Sequence, residues 1–268
     1  MFTWFKKLLF LSAATLTLVS CGDSNNTVNN EKPSLLIYCG ITMVNPVKEI
    51  AGILESQLGV RFLISQGGSE DLYQSLKAAG KGDLYLPGSA SYRKKHIDEG
   101  LLGEFVHVGY NQAALFVKKG NPLGLDADLK HLVNSQYKVV IGDPGSGSIG
   151  RETKRILDQA GIFEEVKKNA VYMATDSRNI NYALTSNDAE LSLNWRATGF
   201  FDENRNQISV IDLPAEVAKP KKLLMNLLVF SKYPEQARAF MEYAASEKGQ
   251  AIFRKHGFLD NQLKSDDS

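Results

Sequence analysis

Scarcity narrows this chain before any motif does. It holds two cysteines, two tryptophans and four histidines in 268 residues. The cysteines, Cys21 and Cys39, show no zinc-type spacing and form no disulfide framework. His96, His107, His131 and His256 lie in unrelated segments, none beside an obvious nucleophile, which argues against catalysis. Lys and Arg number 31 against 30 Asp and Glu, leaving a formal net charge of +1. With no basic stripe and no basic run interleaved with aromatics, nucleic acid is not an expected partner. No lysine–hydroxyl pair closes the glycine-rich loop at Gly150 and Arg151, so a nucleotide phosphate loop is not indicated. No adjacent tyrosine pair marks an iron site, although Tyr73, Tyr85, Tyr92 and Tyr110 remain available to one. No cofactor is called for.

The N-terminus carries an address. Lys6 and Lys7 precede an apolar run from Leu8 to Val19, too short for a membrane span but suited to an export signal over residues 1–20. The run ends in Leu18, Val19, Ser20, Cys21, which resembles the lipobox of bacterial lipoproteins, where the cysteine is lipidated and becomes N-terminal; an ordinary signal peptide with an incidental cysteine is the alternative. Residues 21–33 are polar, with almost nothing to bury, and are expected to be a flexible tether. The expected product is an extracytoplasmic, lipid-anchored body without a spanning helix. Cys39 then lacks a disulfide partner and, following Leu35, Leu36, Ile37 and Tyr38, is read as a packed hydrophobe.

From Ser34 onward, β-branched or apolar strands alternate with helical patterns. Strands are expected over 34–38, 60–65, 82–86, 113–117, 138–141, 171–174, 190–194, 210–213 and 223–230. Helices are expected after Asn45–Pro46, after Ser69, over 91–99, around 125–133, from Arg151, through Ala183–Leu184, and twice near the end, with Gly257 closing the last. Such alternation argues for an α/β protein with mostly parallel sheets flanked by helices. Ligands in open sheets of this kind bind beyond the carboxyl ends of the strands. Several strands here end in small-residue, hydroxyl-bearing turns that lead straight into a helix: Thr42, then Gly68 and Ser69, then the loop Gly142–Gly150 with Ser148 and Ile149, then Asp176 and Ser177. Helix starts offer unpaired N–H groups, so these turns are candidate anion cradles. For the loop 142–150 the plainer alternative is a tight turn with Ser148 as N-cap.

The order of these pieces resembles the molybdate-type branch of bacterial extracytoplasmic solute-binding proteins. The best-matching stretches are Gly82-Asp83-Leu84-Tyr85-Leu86, Ile141-Gly142-Asp143-Pro144, and Phe253-Arg254-Lys255-His256-Gly257-Phe258. The resemblance implies a two-lobe type II periplasmic-binding-protein fold, with lobe 1 over 34–108 and 223–268 and lobe 2 over 109–222. Its hinge crossings would lie near 108–111 and 220–223. It implies that a small tetrahedral, molybdate-like oxyanion is held between lobes by Thr42, Ser69, Ile149, Ser177 and Trp195, with Gly68, Ser148 and Arg178 as further contacts. Trp195 stands where the family has a tyrosine, and an indole N–H only donates. Arg178 and Arg196 either add charge for the anion or form ion pairs on the rim.

The expected job is capture of the anion by a monomer and delivery to an ABC permease. The same fold docking onto a membrane sensor, or binding another small anion or a metal ion, remains an alternative.

Overall fold

A computed structural model describes residues 32–259. The expected export signal, Cys21 and the tether up to Glu31 lie outside these residues, as does the tail beyond Leu259. In chain order the first elements are β1 (Ser34–Gly40), α1 (Val44–Leu58), β2 (Arg61–Gly67), α2 (Ser69–Ala79), β3 (Leu84–Leu86), α3 (Ser91–His96), β4 (Leu102–Asn111) and β5 (Ala113–Lys118). Then come β6 (Val139–Gly142), α4 (Ser148–Gln159), α5 (Phe163–Asn169), β7 (Ala170–Ala174), α6 (Ser177–Thr185), β8 (Leu191–Trp195), β9 (Ile208–Asp212), β10 (Lys221–Leu228), α7 (Pro234–Ala245) and α8 (Glu247–Lys255). Among these described residues no helix is long and apolar enough to cross a membrane.

The strands make two five-stranded sheets, ordered β2-β1-β3-β10-β4 and β7-β6-β8-β5-β9. Both follow one plan. In the first, β1 runs parallel to β2 and β3 while β10 is antiparallel to β3 and β4. In the second, β6 runs parallel to β7 and β8 while β5 is antiparallel to β8 and β9. The reversed strands, β10 and β5, are the ones that arrive from the other sheet. This is the α/β, two-lobe architecture that the strand–helix alternation and the resemblance led us to expect.

Helical periodicity decides what each helix buries. α1 turns Val47, Ile50, Ala51 and Leu54 inward, and each fully buried aliphatic side chain contributes about 1.5–3 kcal/mol. Gly59, at φ 65°, stops α1 in the left-handed conformation that costs glycine little, and its N–H bonds back to Glu55. The strands β1, β3 and β6 are buried on both faces, which explains their unbroken apolar runs. Cys39 is fully buried and free, and burial pushes its thiol far above the usual range, so it is a packed side chain and no nucleophile.

Three local expectations need correcting. The stretch 125–133 forms only a short 3-10 turn, Leu129–Val133, whose start is capped by the Asp128 carboxylate accepting the Lys130 N–H. β4 and α5 were not expected. Between buried Leu102 and Val108, β4 is exposed or half-buried, so its pattern resembles a loop until β10 pairs with it. The expected crossings near 108–111 and 220–223 fall on paired strand, since Asn111 aligns with Lys221 and Tyr110 with Lys222. The connections between the sheets are Gln112 and residues 213–220. Gln112 ties them together, its side-chain amide donating to the carbonyls of Leu213 (3.1 Å) and Ala218 (2.8 Å).

Candidate ligand-binding site

Five strand ends meet in one place. A small cavity of about 20 Å³ is lined from the first sheet by Gly40, Ile41 and Thr42 after β1, Gly67, Gly68 and Ser69 after β2, and Gly88 after β3. The second sheet supplies Gly147, Ser148 and Ile149 at the start of α4, and Asp176 and Ser177 at the start of α6. Three helix N-termini therefore point at one small space. The first N–H groups of a helix have no partner within it, and the dipole there favours negative charge.

The hydroxyls are held but not spent. Ser69 Oγ accepts the Gly88 N–H at 3.0 Å, and Tyr85 holds the Ser69 carbonyl from below at 2.7 Å, which leaves the serine O–H proton to give away. Thr42 Oγ1 lies 2.6 Å from the Met43 sulfur, a weak acceptor that an anion would displace. Ser148 Oγ accepts the Trp195 indole N–H at 3.0 Å. Asp176 is the one charged side chain lining the cavity. Its carboxylate caps α6, accepting the N–H groups of Arg178 (2.8 Å) and Asn179 (3.0 Å), so its charge is turned to the backbone.

The expected site residues thus divide. Thr42, Gly68, Ser69, Ser148, Ile149 and Ser177 line the small cavity together. Trp195 does not line it; the ring is buried, and its N–H is committed to Ser148. Arg178 lines neither this cavity nor the larger one beside it, and its side chain is exposed. Arg196 forms an ion pair with Asp212 at 2.8 Å and donates to the Gly257 carbonyl at 2.8 Å, so of its two readings the structure shows the rim ion pair. Ser148 is not the N-cap of α4, a position held by Gly147 without a side-chain cap.

Sequence reasoning missed Gly88. A Cβ there would lie 2.4 Å from Ser148 Oγ on the other sheet, so only glycine lets the two sheets close this far. Its signal was a strand followed by Pro87-Gly88-Ser89, the same small-residue turn singled out elsewhere. Asn194 was missed too; buried behind the site, it donates to the Ser177 carbonyl (2.9 Å) and to Asn181 Oδ1 (2.8 Å), and its Oδ1 accepts the backbone N–H of Trp195 (2.8 Å). A lone asparagine in an apolar strand gave no warning.

Ser148 also lines a second, larger chamber of about 810 Å³. It lies between α3 and the ends of β4 and β10 on one side and α4 on the other, and is lined by Tyr92, Tyr110, Arg151, Glu152, Arg155 and Lys219 to Lys222 among others. The Arg151 guanidinium stacks 3.8 Å above the Tyr92 ring. Burial pushes the Tyr92 phenol up to about 12, against the pull of Arg151, so the ring stays neutral. Glu152 takes both Arg155 (2.6 Å) and, from the other sheet, Lys221 (3.2 Å).

Comparison with known proteins agrees with this geometry. A protein of Haemophilus influenzae described as a putative binding protein is 22% identical over 254 residues, covering 95% of this chain and 98% of its own. The molybdate-binding protein ModA of Rhodobacter capsulatus is 22% identical over 214 residues, 80% of this chain and 83% of its own. Among solved structures, the periplasmic molybdate-binding protein of Azotobacter vinelandii superposes with a TM-score of 0.75 at 17% identity, over 85% of this chain and 100% of that one. The family model for bacterial extracellular solute-binding proteins matches residues 35–259. With that match, and with two like sheets closing over a cavity at their strand ends, this chain belongs to the bacterial extracellular solute-binding proteins and has their two-lobe, molybdate-type fold.

Proposed function

We propose that this protein is the extracytoplasmic, lipid-anchored binding component of an ABC importer, capturing a small tetrahedral oxyanion between its lobes as a monomer and handing it to the permease. In this reading lobe 1 is built on the first sheet, up to Asn111 and again from Lys221, lobe 2 is built on the second sheet between them, and Cys21 carries the lipid. The observation that carries it is the convergence of Thr42, Ser69, Ile149 and Ser177 on one cavity that holds no Lys or Arg. An anion entering there loses its water, and several converging donors are needed to replace it. Neutral O–H and N–H donors do this without leaving an unpaired charge buried when the site is empty. Ser148 joins the donor set, Gly68 lets the backbone come close, and Trp195 acts behind Ser148. Binding is the expected chemistry and catalysis is not, because the one carboxylate at the cavity, Asp176, is engaged in capping α6.

The test is calorimetric titration of the purified protein with molybdate, tungstate, sulfate and phosphate. At least one should bind, and Ser69→Ala should weaken it by about tenfold, the worth of one hydrogen bond to a charged partner. His131→Ala should leave affinity unchanged, since His131 sits at the surface paired with Asp126. No binding by any tetrahedral anion, or equal loss in both variants, would overturn the reading.

A further inference from the structure

The large chamber has more volume and more charge than a bare oxyanion uses. It is about 810 Å³ against about 20 Å³ for the small cavity, and Ser148 lines both. Five cationic side chains line it against one carboxylate, Glu152. Arg155 and Lys221 are both taken up by that carboxylate. Arg151 and Lys219 make no ion pair among the described residues. Arg151 also keeps an Nη2 that is shut off from water and has no hydrogen-bond partner, an arrangement that costs energy until an acceptor arrives. Stacking on Tyr92 fixes its plane. A guanidinium so held offers two parallel N–H groups, the fork that matches a carboxylate.

We propose that the ligand is a small phosphate monoester bearing a carboxylate, with its phosphate in the small cavity and its organic arm in the chamber, where Arg151 receives the carboxylate. This rests on the oxyanion reading above and names its substrate class. The ester oxygen replaces one of the four anion oxygens at the Ser148 side, where the cavities adjoin. Arg151 is then the residue that sets specificity, and the donors around Thr42 and Ser69 recognise the head common to all tetrahedral anions.

A three-probe titration separates the parts: inorganic phosphate for the head alone, glycerol 3-phosphate for head and neutral arm, and phosphoglycolate for head and anionic arm. Phosphoglycolate should bind at least about tenfold more tightly than either of the others, the worth of a charge-assisted pair. In Arg151→Gln that advantage should vanish while phosphate binding is unchanged, and in Arg151→Lys part of it should return. Thermal melting of each variant without ligand shows whether it is folded. Phosphate binding as tightly as phosphoglycolate in the wild type would overturn the proposal and leave the oxyanion reading standing. So would equal loss for all three probes in both Arg151 variants. Failure of every probe and every inorganic anion would overturn both.

Discussion

At Gly88 the backbone N–H donates to Ser69 Oγ while the Cα faces Ser148 across the gap between sheets. A methyl group there would meet Ser148 Oγ at 2.4 Å, far inside van der Waals contact, and the clash exists only when the sheets are together. Gly88→Ala should therefore weaken ligand binding by tenfold or more, the size of an overpacking cost of about 1–3 kcal/mol. It should leave the urea midpoint without ligand nearly unmoved. Adding Ser148→Gly makes room for the methyl and should recover part of the affinity. A Gly88→Ala protein that binds like wild type in calorimetry would mean that closure does not bring these residues together. At Asp83 the structure explains one of the family-like stretches: its buried carboxylate accepts the Leu36 N–H at 2.7 Å and the Ser231 O–H at 2.6 Å, fastening β1 and the end of β10 to β3. That residue is structural and lines neither cavity.

At the scale of the element, α2 carries the site's Ser69 and, beside it, Glu70. Burial works to raise the Glu70 carboxyl, but hydrogen bonds from Lys95 (2.8 Å), Gln74 (2.9 Å) and His96 (3.3 Å) outweigh it and hold it at about 2. The His96 ring in turn stacks on Tyr73 of the same helix at 3.6 Å. The native value lies below the unfolded one of about 4.3, so the carboxylate's contribution is complete above that pH and is lost as pH falls toward 2. Glu70→Gln should be less stable than wild type near neutrality, and the difference should close between pH values of about 5 and 2. Urea unfolding over that range checks it. A gap that stays constant would show that Glu70 is not what docks α2 through its charge. The other helix starts at the site are held differently, α6 by the Asp176 cap and α4 by close backbone packing against Asp143. Three local solutions aim three sets of N–H groups at one point.

At the scale of the molecule, two connections join the sheets, and Gln112 bonds across from one to the other. Further ties between the sheets are the ion pair Lys221–Glu152 and the bond from Arg196 to Gly257. Gln112→Ala removes two hydrogen bonds, each worth about 1 kcal/mol net, and uncouples the connections. It should lower unfolding stability by about 1–2 kcal/mol and loosen the lobes, read as a larger radius of gyration without ligand in small-angle scattering. An unchanged radius together with an unchanged urea midpoint would remove Gln112 from the hinge.

Most of the architecture was legible beforehand. Period and length of the apolar runs gave the strand–helix alternation, since burial on both faces of a strand and on one face of a helix leaves distinct marks. β4 escaped because its pairing with β10, more than a hundred residues away, makes it a strand. The hydroxyl-bearing turns were visible as local chemistry, and six of the eight expected contacts do line the cavity. Trp195 and Arg178 do not, because the direction of a side chain depends on partners such as Ser148 that no spacing reveals.

Local chemistry, written residue by residue, determined which turns can cradle an anion and which runs must be buried, because conformational freedom and hydrophobicity belong to short stretches. Only the tertiary structure decided that these turns share one cavity, that Gly88 sets how closely the sheets approach, and that Arg151 waits in an adjoining chamber. Those are distances between segments far apart in the chain, and only packing brings them within reach.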